Sequence, residues 1–191
     1  MKNIIKTISL ILVAQLLAVF TFGQVKYVKD KVSLLVTGTS TLHDWEMKST
    51  AGNCEATFTF GANGRITGLS GLSFSTQVAD LKSGKGMMDK KCYSALKKDK
   101  FATITYTANS GTVATTDGVN YTVKSVGVLT IAGVAHNVEL ISGLRLNADK
   151  SISVSGSTHL KMKDFGVEPP SFLFATTGNG ITVKFDVTLK K

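Results

Sequence analysis

Close to its C-terminus the chain reads Ile181-Thr182-Val183-Lys184-Phe185-Asp186-Val187-Thr188-Leu189. Apolar and polar residues alternate strictly through this stretch. Because successive side chains of a β-strand point to opposite faces, the five apolar residues share one face and the four polar residues share the other. The stretch therefore predicts a strand in a sheet that has one buried face and one solvated face.

The same alternation recurs through most of the chain. It predicts further strands with the apolar sets Val32, Leu34 and Val36; Cys54, Ala56, Phe58 and Phe60; Leu72, Phe74 and Val78; Ile104, Tyr106 and Ala108; Val138 and Leu140; Ile152 and Val154; and Leu160 and Met162.

Short turn signals separate these strands. Glycine and asparagine supply the positive φ values that tight hairpins require. Short connections make neighbouring strands antiparallel, and closing the sheet into a barrel removes its exposed edges. The pattern therefore predicts an all-β, antiparallel barrel with turns at Ala62-Asn63-Gly64, Asn109-Ser110-Gly111, Asp117-Gly118, Asn147-Ala148-Asp149 and Gly178-Asn179-Gly180.

One segment, Met87–Lys98, follows a helical period instead. Its lysines lie away from the apolar side of the helical wheel. We therefore expect one short amphipathic helix laid over part of the barrel. Its apolar positions i, i+4, i+7 and i+8 are Met88, Cys92, Ala95 and Leu96.

Residues 1–23 have the pattern of a secretory signal peptide. Lys2 and Lys6 precede an apolar run from Ile8 to Phe20, and small residues precede a cleavage site near Gly23/Gln24. The run is shorter than the roughly 20 residues of a membrane-spanning helix. An uncleaved anchor is the alternative. We therefore expect a single barrel domain, residues 24–191, located in the periplasm or secreted.

The chain is basic, with 22 Lys and Arg against 13 Asp and Glu and a net charge of +9. Loss of Lys2 and Lys6 with the signal peptide leaves +7. A basic surface attracts anionic partners such as a membrane surface, although the charge could also serve solubility alone. Export argues against nucleic acid as a partner.

Cys54 and Cys92 are the only cysteines. In an oxidising compartment an even pair can form a disulfide. Their spacing matches no metal motif, and isolated cysteines are often buried small hydrophobic residues. The sequence leaves both interpretations open.

The sequence contains little that points to catalysis. His43, His136 and His159 have no second ligand at metal-binding spacing. The chain has no nucleophile elbow, no phosphate-binding loop and no paired carboxylates. We therefore expect no catalytic residues, no metal site and no enzymatic activity.

The expected inner face of the barrel is rich in large apolar side chains. In a small barrel such side chains either fill the interior or surround one small ligand, as in lipocalins. The pattern alone allows both outcomes.

Several stretches resemble the YceI-like family of bacterial envelope proteins. They occur in the order typical of the family and are spread over most of the chain after residue 23. The sequence departs from the family pattern at Ala102, where proline is usual, and at Lys85, which stands near the place of a usual arginine. Lys90 and Lys91 occupy the region after Met88-Asp89 where a basic or histidine residue is common in the family. The matching stretches are Gly38–Trp45, Met88-Asp89, Ala95-Leu96, Phe101–Tyr106, Gly127–Val134, Val138–Leu140 and Leu160–Pro170.

The resemblance implies an extended, eight-stranded antiparallel lipocalin-like barrel with one short helix. It implies non-catalytic binding, storage or transport of a long apolar isoprenoid lipid, such as a polyisoprenoid, an isoprenoid quinone or a prenyl phosphate. It implies no cofactor other than this bound lipid. The expected partners are the isoprenoid lipid or quinone, an anionic membrane surface and a second copy of the chain in a homodimer.

The residues expected to contact the lipid combine the inward-facing sets with the helix. Val126 and Val128 compete with Leu129 and Ile131 for the inner face of their strand. We expect Met88, Cys92 and Leu96 to close one end as a lid, and Trp45 and Phe165 to lie at the mouth. The expected ligand-binding residues are Phe58, Phe60, Phe74, Met88, Leu96, Tyr106, Leu129, Ile131, Val138, Leu140, Leu160, Met162, Phe165, Val183 and Phe185.

Two other functions compete with lipid binding. One is a packed envelope barrel with a structural role, or an interaction with a protein or membrane, and no ligand. The other is a metal protein or enzyme that uses His43, His136 and His159. The interior volume and the convergence of the histidines distinguish the three possibilities.

Overall fold

A computed structural model describes residues 23–172 and 174–191 of the chain, with the Phe172 side chain left out. The predicted signal peptide lies outside the described residues, apart from Gly23. The strands are β1 (Gly23–Ser40), β2 (Trp45–Ser49), β3 (Asn53–Phe60), β4 (Ile66–Gln77), β5 (Thr103–Ala108), β6 (Gly111–Thr115), β7 (Asn120–Ile131), β8 (Val134–Leu146), β9 (Ile152–Lys161), β10 (Ser171–Phe172) and β11 (Ala175–Lys190).

The strands form one closed antiparallel barrel with eight strand positions, as predicted. Two positions are each occupied by a pair of consecutive short strands, because β2 and β3 both pair with β1, and β5 and β6 both pair with β4 and β7. Pairing of β1 with β11, from Val28 opposite Lys190 to Ser40 opposite Thr177, closes the circle. Closure leaves the sheet without a free edge along most of its length.

The predicted helix is present as α1 (Gly86–Ala95), and two 3-10 turns, Val78–Asp80 and Met162–Phe165, lie at the same end of the barrel. None of the residues of α1 is fully buried. The helix lies beside an opening of the barrel, where Ala95 at its C-terminal end packs against the small cluster of Ala132, Phe165 and Val167.

A register shift in β1 decides which residues face inward. Tyr27 is buried before the shift and Val32 after it, although they have opposite parity in the sequence. The irregularity lies between Lys29 and Lys31, where the pairing with β11 slips. An extra residue in a strand transfers the following side chains to the other face, so Val28 points outward.

The glycine-rich segment Gly178-Asn179-Gly180, predicted as a turn, is part of β11 instead. The pairing between β1 and β11 is irregular here, because Gly38 lies opposite Ile181 and Ser40 opposite Thr177. A bulge uses the same permissive residues as a turn. The segment therefore bends a long strand and does not end it.

One end of the barrel is closed by packed side chains, here called the closed end. The largest fully buried residues there are Tyr27, Ile152 and Leu189. The Tyr121 hydroxyl group donates to the carbonyl oxygen of Gly118 (2.6 Å) and accepts from the amide of Ile66 (3.3 Å). The opposite end, where α1 lies, is called the mouth.

Candidate functional site: an apolar cavity in the barrel

The barrel contains a cavity of about 520 Å³. Side chains from all eight strand positions and from α1 line it. Its volume falls within the roughly 300–1,000 Å³ typical of small-molecule sites. The interior is therefore not filled by its own side chains.

The cavity wall is almost wholly apolar. All five apolar residues of the Ile181–Leu189 stretch line it. The few polar side chains in the wall include groups that already have partners, since Thr76 donates to the Ala51 carbonyl oxygen (2.9 Å) and the Ser125 hydroxyl lies 3.1 Å from the Tyr106 hydroxyl. No Asp or Glu among the described residues lines the cavity. Such a wall suits a hydrocarbon chain better than a polar metabolite.

Most of the residues predicted to contact a ligand line this cavity. On β7 the odd-numbered residues face inward, since Tyr121 and Val123 are buried while Val126 and Val128 are exposed. Leu129 and Ile131, rather than the two valines, therefore belong to the inner face. The thirteen predicted residues in the wall are Phe58, Phe74, Met88, Leu96, Tyr106, Leu129, Ile131, Leu140, Leu160, Met162, Phe165, Val183 and Phe185.

Two predicted residues do not line the cavity. Phe60 lies at the closed end, where its ring stacks on Tyr27 with centroids 6.3 Å apart. Val138 packs against the separate cluster formed by Ala132, Phe165 and Val167. Alternation predicts which way each side chain points but not its height along the barrel axis.

The structure adds wall residues that the predicted set omitted. Several share the parity of predicted neighbours, so the alternation contained the signal for them. Others come from the turn after β1, from the segment before α1 and from the start of α1, for which the strand pattern gives no signal. The additions include Leu34, Met47, Leu72, Ile104, Val123, Leu144, Leu42, His43, Lys85 and Met87.

A close approach between strands positions Tyr106. A side-chain carbon on Gly127 would lie 2.8 Å from the Tyr106 hydroxyl oxygen, so only glycine leaves room for the ring. The hydroxyl lies within hydrogen-bond distance of Ser125 and of the Val138 carbonyl oxygen (3.3 Å). Burial raises the pKa of Tyr106 above its ordinary value, although the bond to Ser125 opposes the shift. Tyr106 is therefore neutral and fixed in the wall.

Trp45, the only tryptophan in the chain, lines the mouth part of the cavity, as predicted. Its ring lies against Gly38, the residue opposite it on β1. The indole N–H donates to the Thr39 carbonyl oxygen (3.1 Å). These contacts hold the indole ring at the entrance, so its fluorescence emission will respond to a ligand or membrane at the mouth.

Cys54 and Cys92 are both free and both line the cavity. Burial, with a smaller effect of the neighbouring Glu55, raises the pKa of Cys54 to about 11. Burial, with a smaller effect of Asp89, raises the pKa of Cys92 to about 11. Both groups are thiols at neutral pH, so they behave as small apolar wall residues.

Three lysines border the cavity at the mouth, and we call Lys85, Lys91 and Lys161 the basic rim. They come from the segment before α1, from α1 itself and from the end of β9. The Lys91 ammonium group donates to the Ser171 carbonyl oxygen (3.0 Å). His43, in the turn after β1, also borders the cavity. The mouth therefore combines an apolar interior with a positively charged border.

The family model of the YceI-like domain matches residues 27–189. The chain belongs to the YceI-like family. The match covers nearly all of the described residues, including every residue of the cavity wall. The comparison with curated proteins found no match.

Solved structures similar to this YceI-like chain share its fold at low sequence identity. BcnA of Burkholderia cenocepacia is 17% identical, with a TM-score of 0.60 over 83% of this chain and 94% of that one. A polyisoprenoid-binding domain from Saccharophagus degradans is 11% identical, with a TM-score of 0.66 over 86% and 97%. The YceI protein of Campylobacter jejuni is 20% identical, with a TM-score of 0.53 over 74% and 85%.

The three histidines of this YceI-like chain have different local partners. The His43 ring nitrogen lies 2.7 Å from the Asp44 carbonyl oxygen, the His159 ring nitrogen lies 2.9 Å from the Thr182 hydroxyl oxygen, and the His136 ring meets the edge of Phe165. Within residues 23–172 and 174–191, no group of three or more His, Cys, Asp or Glu could hold a metal ion. The structure does not bring the histidines together into one site.

Among the described residues of the YceI-like chain, no helix has the length and apolar character that a bilayer crossing requires.

Proposed function

We propose that this YceI-like protein binds a long apolar isoprenoid lipid in its cavity and stores or transports it without catalysing a reaction. The observation that carries the proposal is the open apolar cavity lined by all eight strand positions. Burying each methylene group contributes about 0.8 kcal/mol, so a chain of isoprene units gains affinity without polar contacts. The printed description of the Saccharophagus degradans domain, polyisoprenoid binding, supports the same ligand class.

The chemistry of the wall supports binding rather than catalysis. Its two thiols have pKa values of about 11, and no carboxylate among the described residues borders the cavity. A nucleophile or general acid works best with a pKa near the working pH. The wall therefore offers a lipid little more than apolar contact.

The basic rim favours an anionic headgroup among the possible isoprenoid ligands. Lys85, Lys91 and Lys161 would lie next to a headgroup that remained at the mouth while its chain occupied the barrel. A prenyl phosphate would gain from these charges, whereas a quinone would not. Periplasmic or secreted location, quinone binding and a homodimer stay predictions.

The competing function is a packed envelope barrel with no ligand. A packed barrel interior leaves no room of ligand size. The cavity of about 520 Å³ therefore favours lipid binding over this alternative.

The deciding experiment identifies what the protein contains after purification. The protein would be purified from bacterial membranes and cell extract without detergent, extracted with organic solvent, and analysed by mass spectrometry. We expect an isoprenoid lipid in stoichiometric amount. Recovery of lipid-free protein that also fails to bind an added prenol would contradict the proposal.

A pair of neighbouring substitutions on β8 provides a control for this experiment. Ser142 lines the cavity, while Ile141 is exposed on the outer face of the same strand. We expect Ser142→Phe to fill the cavity and lose the lipid, while Ile141→Phe retains it. Equal lipid content in both variants would show that the lipid binds elsewhere.

A further inference from the structure

The three most exposed large hydrophobic side chains of the described residues lie at the mouth. Phe174 is 97% exposed, Leu42 is 71% exposed and Met87 is 64% exposed. We call these three residues the mouth patch. Contiguous exposed apolar side chains on a soluble protein mark an interaction site.

The members of the mouth patch surround the entrance to the cavity. Leu42 and Met87 line the cavity, and Phe174 lies between Ser171 and Ala175, which also line it. The patch residues lie on three different segments: the turn after β1, the start of α1 and the connection between β10 and β11.

Hydrogen bonds hold these three segments together. The Thr41 amide donates to the Thr176 carbonyl oxygen (3.0 Å), and the Thr176 amide donates to the Thr41 hydroxyl oxygen (3.1 Å). Lys91 of α1 donates to the Ser171 carbonyl oxygen (3.0 Å). These bonds fix the three segments that carry the mouth patch next to one another at the mouth.

The charges around the mouth patch are mainly positive. The basic rim surrounds the same opening, and the exposed Lys90 adds a further charge on α1. The acidic groups on these segments are Asp44 and Asp89, and the Asp89 carboxylate accepts bonds from the Ser83 amide (2.8 Å) and hydroxyl (2.6 Å). Exposed apolar side chains next to lysines fit an anionic bilayer, whose headgroups attract the lysines while its interior accepts the apolar groups.

We infer that the mouth patch and the basic rim form a docking surface for an anionic lipid bilayer. This inference rests on the proposed function, because docking would place the cavity entrance against the membrane from which the isoprenoid lipid is taken. The lipid could then pass into the barrel without crossing water.

A second copy of the chain fits this surface less well. In a symmetric dimer the same patch faces itself, so the basic rims of two copies would be brought together. Like charges brought into contact disfavour association. An anionic bilayer supplies the opposite charge.

The test measures binding to vesicles. Vesicles of phosphatidylcholine mixed with phosphatidylglycerol would be compared with vesicles of phosphatidylcholine alone, by co-sedimentation and by the emission of Trp45. We expect binding to the mixed vesicles that weakens about tenfold or more at high salt. We expect little binding to the neutral vesicles.

A double variant, Leu42→Ser with Phe174→Ser, removes the apolar part of the surface. We expect it to bind the mixed vesicles about tenfold more weakly than the unaltered protein. The matched control, Val126→Ser with Ile141→Ser, removes two residues that are 56% and 55% exposed on the outer face of β7 and β8. We expect the control to bind like the unaltered protein.

Three outcomes would overturn the inference: equal binding of both double variants, equal binding to neutral and anionic vesicles, or dimerisation through the patch in sedimentation velocity. Failure of the proposed function has a different signature. Farnesol added in solution tests the cavity without a membrane, and Phe174 does not line the cavity. Farnesol binding without vesicle binding would reject the docking surface alone, whereas vesicle binding without farnesol binding would reject the lipid cavity.

Discussion

The ring of Phe185 on β11 occupies the space that a side chain on Gly156 of β9 would need. The two residues are direct partners in the sheet, and a side-chain carbon on Gly156 would lie 3.0 Å from Cε2 of the ring. This distance is shorter than the roughly 3.5–4.0 Å at which carbon atoms attract one another. Gly156 therefore lets the ring lie against the wall and keeps the cavity open.

We expect Gly156→Ala to push the Phe185 ring into the cavity. The strain would lower the free energy of unfolding by about 1–3 kcal/mol and weaken binding of farnesol, which urea unfolding and a titration followed by Trp45 emission would measure. Gly143→Ala is the control, because its nearest neighbour would be the Ser155 hydroxyl oxygen at 3.7 Å. Equal effects of both substitutions would contradict this role of Gly156.

The hydrogen bonds from Ser83 to the Asp89 carboxylate make the stability of the fold depend on pH in the acid range. Donation by the Ser83 hydroxyl and amide holds the pKa of Asp89 below its usual range. Ionised Asp89 therefore stabilises the fold above the ordinary Asp pKa of about 3.9, and this contribution is lost as the pH falls through the lower folded value. We expect Asp89→Asn to lower the Tm at pH 7, by a difference that disappears in acid.

Thermal unfolding across this pH range would check the prediction for Asp89. Asp99→Asn is the control, since Asp99 is 98% exposed and faces Lys98 at 3.4 Å. Exposed pairs of this kind contribute little to stability. A Tm difference for Asp89→Asn that persisted in acid would argue against the ionised carboxylate as its source.

The raised pKa of the thiols in the cavity wall predicts that they react slowly with alkylating reagents. With a pKa of about 11, only about one in a thousand Cys92 side chains is a thiolate at pH 8. In the Cys54→Ala variant, we expect iodoacetamide to modify Cys92 much more slowly in the folded protein than in the urea-unfolded chain. We expect the rate of modification in the folded protein to rise with pH and to fall when farnesol is added. Mass spectrometry would follow the reaction. Equal rates in folded and unfolded protein would show that the thiol is not enclosed.

The sequence predicts the barrel and its inner face well because the two-residue period of a strand is a rigid geometric rule. The alternation in the Ile181–Leu189 stretch predicts five residues that all line the cavity. The family resemblance added the number of strand positions, which alternation alone does not give. The helix is also predictable, since the apolar period of Met87–Lys98 differs from that of its neighbours, although the helix itself ends at Ala95.

Features that depend on the register of pairing could not be predicted. Gly178-Asn179-Gly180 suits a turn and a bulge equally, and only the pairing with β1 places it inside a strand. Phe60 and Val138 lie outside the cavity for a related reason, because position along the barrel axis depends on where each strand starts relative to its partners. Local sequence does not contain that information.

The basic rim was not predictable from spacing, because its three lysines come from elements far apart in the chain. The family resemblance points to Lys85, near the place of a usual arginine, and to the Lys90-Lys91 region, where a basic residue is common, but not to Lys161. Closure of the barrel brings Lys161, at the end of β9, to the same opening as Lys91 of α1. The positive charge at the mouth therefore results from the strand topology, which brings distant lysines together.

The rim yields a last prediction, on headgroup preference. If an anionic headgroup lies at the mouth, removing Lys85 and Lys161 should weaken binding of farnesyl phosphate more than binding of farnesol. Both side chains are exposed, and each exposed charge contact contributes about 0.2–1 kcal/mol. We therefore expect Lys85→Gln with Lys161→Gln to reduce affinity for the phosphate by about twofold to thirtyfold. High salt should remove most of the difference, since exposed charges are screened.

The control for this prediction is Lys31→Gln with Lys184→Gln. It makes the same change in net charge at exposed positions that do not border the cavity, and we expect it to leave both affinities unchanged. Parallel titrations of the two ligands, followed by Trp45 emission, would measure the effect. A parallel loss for farnesol and farnesyl phosphate would mean that the lysines shape the entrance without recognising charge.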